Sequence, residues 1–151
     1  MYQRILVPLD GSATAERGLR EAIGLAAEHQ ATLHLMHVVD DFPMMIGTVS
    51  IEGVEDTRKQ LHRQGELLLA KAHSAAREAG TMAETVVREV TRESIADAIV
   101  DEARSAGCDL IVMGTHGRRG LSRLTMGSDA ELVVRSSPVP VLLVRQEEAT
   151  A

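Results

Sequence analysis

The segment GTHGRRGLSRLTMGSDAEL, which begins at Gly114, is rich in glycine and arginine although the chain of 151 residues has a net charge of -6. Two residues separate Gly114 from Gly117, and nine more precede Gly127 and Ser128. Glycines let a backbone approach phosphate oxygens closely, and a helix that starts at Ser128 would direct its first amides at an anion. We therefore predict that this segment binds a polyphosphate.

Three arginines of the same segment would add positive charge to such a site: Arg118, Arg119 and Arg123. Two simpler interpretations stay open. The composition also suits a solvated loop, and Ser128 with Glu131 has the S-x-x-E spacing of a capping box, which needs no ligand. A cap and an anion site use the same helix end, so we expect both.

Short apolar runs alternate with segments of helical periodicity along the chain. The runs RILVPL, ATLHLMHVV, AETVVREV, DLIVMG and VPVLLVRQ are predicted strands, and DDFPMMIGTVSIEG is a predicted loop. Ser12 is a candidate N-cap, while Gly80 and Gly107 follow the second and third helices. This order predicts one α/β domain over residues 1–146 and a frayed tail over 147–151. The fold is expected to be an open, Rossmann-like, five-stranded parallel sheet of order 3-2-1-4-5, with helices on both faces.

The composition excludes several classes of protein. Tyr2 and Phe42 are the only aromatic residues, and 22 acidic residues outnumber 16 Lys and Arg, which disfavours nucleic acid as a partner. A single cysteine, Cys108, excludes an internal disulfide and is expected to be a buried packing residue. No run approaches the roughly 18 apolar residues of a membrane span, and a cytoplasmic location is expected.

The segments at the predicted strand ends resemble the universal stress protein family, of the nucleotide-binding kind. They are VPLDGS at 7–12, HVVD at 37–40, DLIVMGTHGRRGLSRL at 109–124, GS at 127–128 and PVPVLLVR at 138–145. The family's G-2x-G-9x-G-(S/T) pattern is complete, and the resemblance covers nearly the whole chain.

The resemblance implies a bound adenine nucleotide (ATP, ADP or AMP), with Mg²⁺ held through its phosphates. Asp10, whose simpler role is that of a turn residue, would bind the ribose, and Val38 would meet the adenine through its backbone. The remaining implied contacts are Pro8 and Leu9 at the nucleoside, Met113 and Gly114 at the ribose and α-phosphate, His116 near the ligand, and Gly117, Arg118, Gly127 and Ser128 at the phosphates. Asp129 departs from the apolar or small residue usual in the family, and it places a carboxylate beside the phosphates.

The function that these features favour is a regulatory module in which nucleotide biases dimer state or the binding of a regulated protein. A ligand-free interaction module of the same fold and a weak ATPase are the alternatives. ATP pyrophosphatases and adenylyl transferases would need S-G-G-x-D-S or H-x-G-H where this chain has PLDGSA. A phospho-acceptor receiver domain would need an acidic acceptor and a Lys at strand ends that read VREVT and LVRQ. No nucleophile–base pair is evident, so we do not class the protein as an enzyme, although slow hydrolysis stays open.

The last predicted strand falls at an edge of the sheet and is apolar at Val139, Val141 and Leu143. An exposed apolar edge invites pairing with another chain unless charge opposes it, and here charge begins only at Arg145. We therefore predict a homodimer that forms through this strand.

Overall fold

The computed structural model describes residues 1–41, 50–116 and 126–146. Most of the predicted loop and the predicted tail lie outside these ranges. The elements, in chain order, are β1 (Arg4–Pro8), α1 (Ala13–His29), β2 (Thr32–Asp40), α2 (Ile51–Glu78), β3 (Ala83–Val90), α3 (Ile95–Ser105), β4 (Leu110–Gly114), α4 (Ser128–Ser136) and β5 (Val141–Val144).

The five strands form one parallel sheet in the order β3-β2-β1-β4-β5, which confirms the predicted fold. Leu6 of β1 pairs with His34 of β2 on one side and with Ile111 of β4 on the other. The chain therefore turns to opposite sides of β1 in its two halves. In open parallel sheets of this kind, a crevice for ligands lies at the carboxyl ends of the strands where the order reverses.

Alternate residues of the strands face two separate cores. On one face Val7 and Leu35 pack with Leu19 of α1 and Leu69 of α2. On the other face, the core around Leu6 and Ile111 includes residues of α3 and α4. Both clusters of buried residues consist of Ala, Val, Leu, Ile, Met and Cys side chains. Burial of each larger aliphatic side chain stabilises the fold by about 1.5–3 kcal/mol, so this domain does not need an aromatic core.

Cys108 is buried in the second core, as the sequence predicts. Burial raises the pKa of its thiol to about 11, so the sulfur stays protonated at neutral pH. The thiolate is the reactive form of cysteine, and Cys108 is therefore a packing residue.

Serine side chains cap the first three helices. Ser12, Ser50 and Ser94 accept hydrogen bonds from the N–H groups of Ala15, Gly53 and Asp97, respectively. The cap at Ser50 starts α2 at Ile51, so the predicted loop, which ran to residue 53, is too long by three residues. Gly80 and Gly107 follow their helices with φ of 75° and 66°, as the sequence predicts.

The last strand is shorter than predicted at both ends, and its prolines account for the later start. It begins at Val141, after Pro138 and Pro140, which have no N–H to contribute to a ladder. The Pro140 carbonyl still accepts from the Ile111 N–H at 3.0 Å and aligns β5 beside β4.

Within the three described ranges, no helix combines the length and the apolar character that crossing a membrane requires.

Candidate functional site

The carboxyl end of β1 forms a turn that orients Asp10. The Ser12 N–H donates to Asp10 Oδ1 at 2.9 Å, and Gly11 between them adopts a φ of 84°, which favours glycine. The turn role that the sequence allows for Asp10 is therefore confirmed. The same hydrogen bond fixes the direction of a half-buried carboxylate at the crevice, where the resemblance expects a ribose contact.

The carboxyl end of β4 lies directly against the first turn of α1. A Cβ on Gly114 would lie 2.9 Å from Thr14 Cβ and 3.0 Å from the Thr14 carbonyl carbon, so only glycine fits there. Thr14 is buried, and its hydroxyl donates to the carbonyl of His116. This contact joins the start of α1 to the chain that follows β4.

The start of α4 differs from the predicted capping box. The N-cap is Gly127, not Ser128, and glycine has no side chain with which to cap the helix. Ser128 is already the first helical residue, and the carboxylate of Glu131 accepts from Arg135 instead of returning to the helix start. The capping-box prediction is wrong because the Gly127 N–H donates to the Thr115 carbonyl at 2.7 Å, which sets the helix start at Gly127.

A continuous chain of hydrogen bonds and one peptide link joins Asp10 to Gly127 across the crevice. Asp10 bonds to Ser12, whose hydroxyl lies 3.3 Å from the Thr14 hydroxyl. Thr14 holds the His116 carbonyl, and the adjacent Thr115 carbonyl holds the Gly127 N–H. The predicted nucleoside and phosphate ends are thus parts of one bonded unit.

Sequence reasoning missed Thr14 and Thr115, which are buried and hold this unit together. The sequence contains one local indication of Thr14: it follows the candidate N-cap Ser12 by two positions, which places a polar residue in the first turn of the helix. Nothing in the chain around Thr115 distinguishes it from an ordinary loop residue.

The carboxyl end of β2 contacts the end of β1 through backbone and side chain. The Leu9 N–H donates to the Met36 carbonyl at 2.7 Å, and His37 Nδ1 donates to the Leu9 carbonyl at 2.7 Å. Val38 follows and is half-buried beside the second core.

The predicted site residues in the described ranges all lie at the carboxyl edge of the sheet or at the start of α4. These are Pro8, Leu9, Asp10, Val38, Met113, Gly114, His116, Gly127, Ser128 and Asp129. The predicted phosphate contacts Gly117 and Arg118, together with Arg119 and Arg123, lie outside the described residues.

A second polar cluster lies at the opposite, amino edge of the sheet. The buried His34 has Nε2 2.8 Å from Glu102 Oε1 and Nδ1 3.3 Å from the Arg4 guanidinium. Arg4 also pairs with Glu84, and this hydrogen bond lowers the pKa of the Glu84 carboxyl. Among the described residues, no group of three or more His, Cys, Asp and Glu side chains is arranged to hold a metal ion.

The sequence matches the model of the Universal stress protein family over residues 1–145. A universal stress protein of Methanocaldococcus jannaschii is 34% identical over 146 residues, which cover 97% of this chain and 84% of that protein. The universal stress protein YxiE of Bacillus subtilis is 32% identical over 153 residues, covering 96% of this chain and all of that protein.

Solved structures share the whole fold. The structure of the protein MJ0577 superposes with a TM-score of 0.87, at 26% identity, over 99% of both chains. A universal stress protein solved in complex with cAMP has a TM-score of 0.67 and 26% identity, over 97% of this chain and 98% of that one. The universal stress protein of Archaeoglobus fulgidus in complex with dAMP has a TM-score of 0.63 and 25% identity, over 95% of this chain and 98% of that one.

Proposed function

Because the chain belongs to the universal stress protein family, we propose that it binds an adenine nucleotide between the carboxyl ends of β1 and β4. The nucleotide acts as a regulatory ligand, which biases dimer state or the binding of a regulated protein. The observation that carries this proposal is the bonded unit from Asp10 to Gly127, which presents an oriented carboxylate and an N-cap without a side chain on one crevice. Similar proteins that were solved with cAMP and dAMP support an adenine nucleotide as the ligand.

The two ends of the crevice differ in chemistry, and this difference orients the ligand. Asp10 is an acceptor suited to ribose hydroxyls, and the backbone at Val38 offers hydrogen bonds to the adenine. Gly127 brings no side chain to the first amides of α4, and the helix dipole favours an anion there. The nucleoside therefore lies towards β2 and the phosphates towards α4. When bound, Mg²⁺ would neutralise phosphate charge.

We expect ATP to bind the wild-type protein more tightly than inorganic triphosphate does, because the triphosphate lacks the groups that meet Asp10 and Val38. Titration calorimetry with both ligands measures the difference. Asp10→Ala should weaken ATP binding about tenfold, which corresponds to about 1.4 kcal/mol, and leave triphosphate binding unchanged. Mass spectrometry of nucleotide released from the purified, denatured protein would identify the natural ligand. If neither ATP nor any other adenine nucleotide binds, the proposal fails and the ligand-free alternative stands.

A second prediction concerns Asp129, the second residue of α4. Its carboxylate lies in the first turn, where a phosphate would also lie, and like charges about 4 Å apart near a protein surface repel by up to about 4 kcal/mol. Asp129→Asn should tighten ATP binding about tenfold without Mg²⁺ and by less with Mg²⁺, since the cation already offsets the charge.

The matched control is Glu131→Gln, which removes one negative charge from the same helix at a side chain that accepts from Arg135. It should change ATP affinity less than threefold, since its carboxylate is directed along the helix to Arg135, away from the start of α4. Equal effects of Asp129→Asn with and without Mg²⁺ would show that Asp129 does not face the phosphates.

A further inference from the structure

Both backbone polar groups of Leu9, the residue before Asp10, are held by consecutive residues of β2. Its N–H donates to the Met36 carbonyl and its carbonyl accepts from His37 Nδ1, each at 2.7 Å. Leu9 itself is buried. The peptide group that joins Leu9 to Asp10 is therefore oriented by an imidazole, so the position of the Asp10 carboxylate depends on that ring.

The His37 ring is confined from its other side by α2. Gly65 is buried on that helix, and a Cβ there would lie 2.5 Å from His37 Cδ2 and 3.3 Å from Nε2. Glycine weakens a helix interior relative to alanine, so its presence at this contact has a steric reason. Gly24 of α1 is different, because a Cβ there would meet no described atom within 4 Å.

We propose that His37 is a positioning residue for the nucleoside end of the crevice and that Gly65 admits its ring. The ring holds the Leu9 carbonyl, the carbonyl orients the following peptide, and that peptide aims Asp10 at the ribose. This inference rests on the proposed function. It also makes α2 part of the site, since a substitution at Gly65 reaches the ligand through the His37 ring without touching the ligand.

The hydrogen bond requires a proton on Nδ1, because a carbonyl oxygen only accepts. Long-range ¹H–¹⁵N correlation spectra of the wild-type protein should therefore show His37 with Nδ1 protonated, both with and without ATP. An unprotonated Nδ1 would overturn the inference.

Substitutions at His37 separate positioning from packing. Asn carries an amide nitrogen close to the place of Nδ1, whereas Leu fills a similar volume without a donor. His37→Leu should weaken ATP binding about tenfold, the scale of one lost hydrogen bond that orients a contact, and His37→Asn should stay within about threefold of wild type. Inorganic triphosphate should bind all three proteins equally. Equal losses for Leu and Asn, or no loss for Leu, would contradict the positioning role.

A double-mutant cycle tests the contact with α2. Gly65→Ala should weaken ATP binding about tenfold in the wild-type background, because the new methyl displaces the ring, and should have little effect in a His37→Ala background. Gly24→Ala is the matched control and should leave ATP affinity unchanged. Additive effects of His37→Ala and Gly65→Ala would sink the inference. Failure of the wild-type protein to bind any adenine nucleotide would refute the proposed function as well, whereas wild-type affinity in His37→Leu would refute this inference alone.

Discussion

Gly127→Val should lower the affinity for ATP by at least about 100-fold, or about 2.7 kcal/mol, while the domain stays folded. Gly127 has φ of -60° and ψ of 150°, values that valine adopts without strain, and its N–H would still donate to the Thr115 carbonyl. The isopropyl group would stand at the N-cap of α4, where we propose that a phosphate binds. The variant thus adds bulk at the proposed phosphate site and keeps the backbone.

Titration calorimetry with ATP, paired with thermal unfolding, measures the two halves of this prediction. Gly24→Val is the matched control, because a Cβ at Gly24 would meet no described atom within 4 Å, and it should leave ATP affinity unchanged. Gly127→Ala should fall between wild type and valine. An unchanged affinity in Gly127→Val would show that phosphates do not bind at the start of α4.

The order of elements and the strand order agree with what the sequence predicts, because both depend on local signals. Apolar runs such as DLIVMG indicate strands, and the serine at Ser12 marks a helix start. Helix-length crossovers between strands leave a parallel sheet as the arrangement that buries both faces. The predicted site residues then fall at one edge of the sheet, since the carboxyl ends of parallel strands meet there, and their contacts with a nucleotide stay a prediction.

The contacts that hold the site together depend on residues far apart in the chain, and no local pattern encodes them. Thr14 meets His116 across 102 positions, and His37 meets Leu9 across 28. The capping-box error has the same origin. Ser128 and Glu131 have the right spacing, yet a hydrogen bond from Gly127 to Thr115 decides where the helix begins. The steric role of Gly65 becomes visible only when α2 is packed on β2.

We also expect the protein to form a homodimer through β5, which lies at the edge of the sheet. The carbonyls of Pro140 and Val144 accept from Ile111 and Thr115 of the β4 side. Successive residues of a strand point their backbone groups in opposite directions, so Val141 and Leu143 direct theirs away from β4, where we expect a second chain to pair. A two-fold axis across this edge would satisfy those groups in both protomers.

The position of each side chain decides which substitution tests the dimer. Val139, Val141 and Leu143 are partly buried against the second core, so a charge at any of them would disturb the monomer itself. Leu142 is 39% exposed and lies at the same edge, which makes it the position to change.

Leu142→Lys should raise the dimer dissociation constant at least about 100-fold, because antiparallel pairing brings the introduced charges of both protomers close together. Leu142 is already exposed, so the substitution exposes no new core surface. Sedimentation velocity over a dilution series measures the effect, with Leu67→Lys on the exposed face of α2 as the matched control.

Thr115 connects β5, at the proposed dimer edge, to the start of α4. Its N–H donates to the Val144 carbonyl at 3.0 Å, and its carbonyl accepts from the Gly127 N–H. Saturating ATP should therefore shift the dissociation constant of the wild type, and Gly127→Val should abolish that shift. A wild-type protein that sediments as a monomer at micromolar concentration with and without ATP would rule out this interface, as would an unchanged dimer in Leu142→Lys.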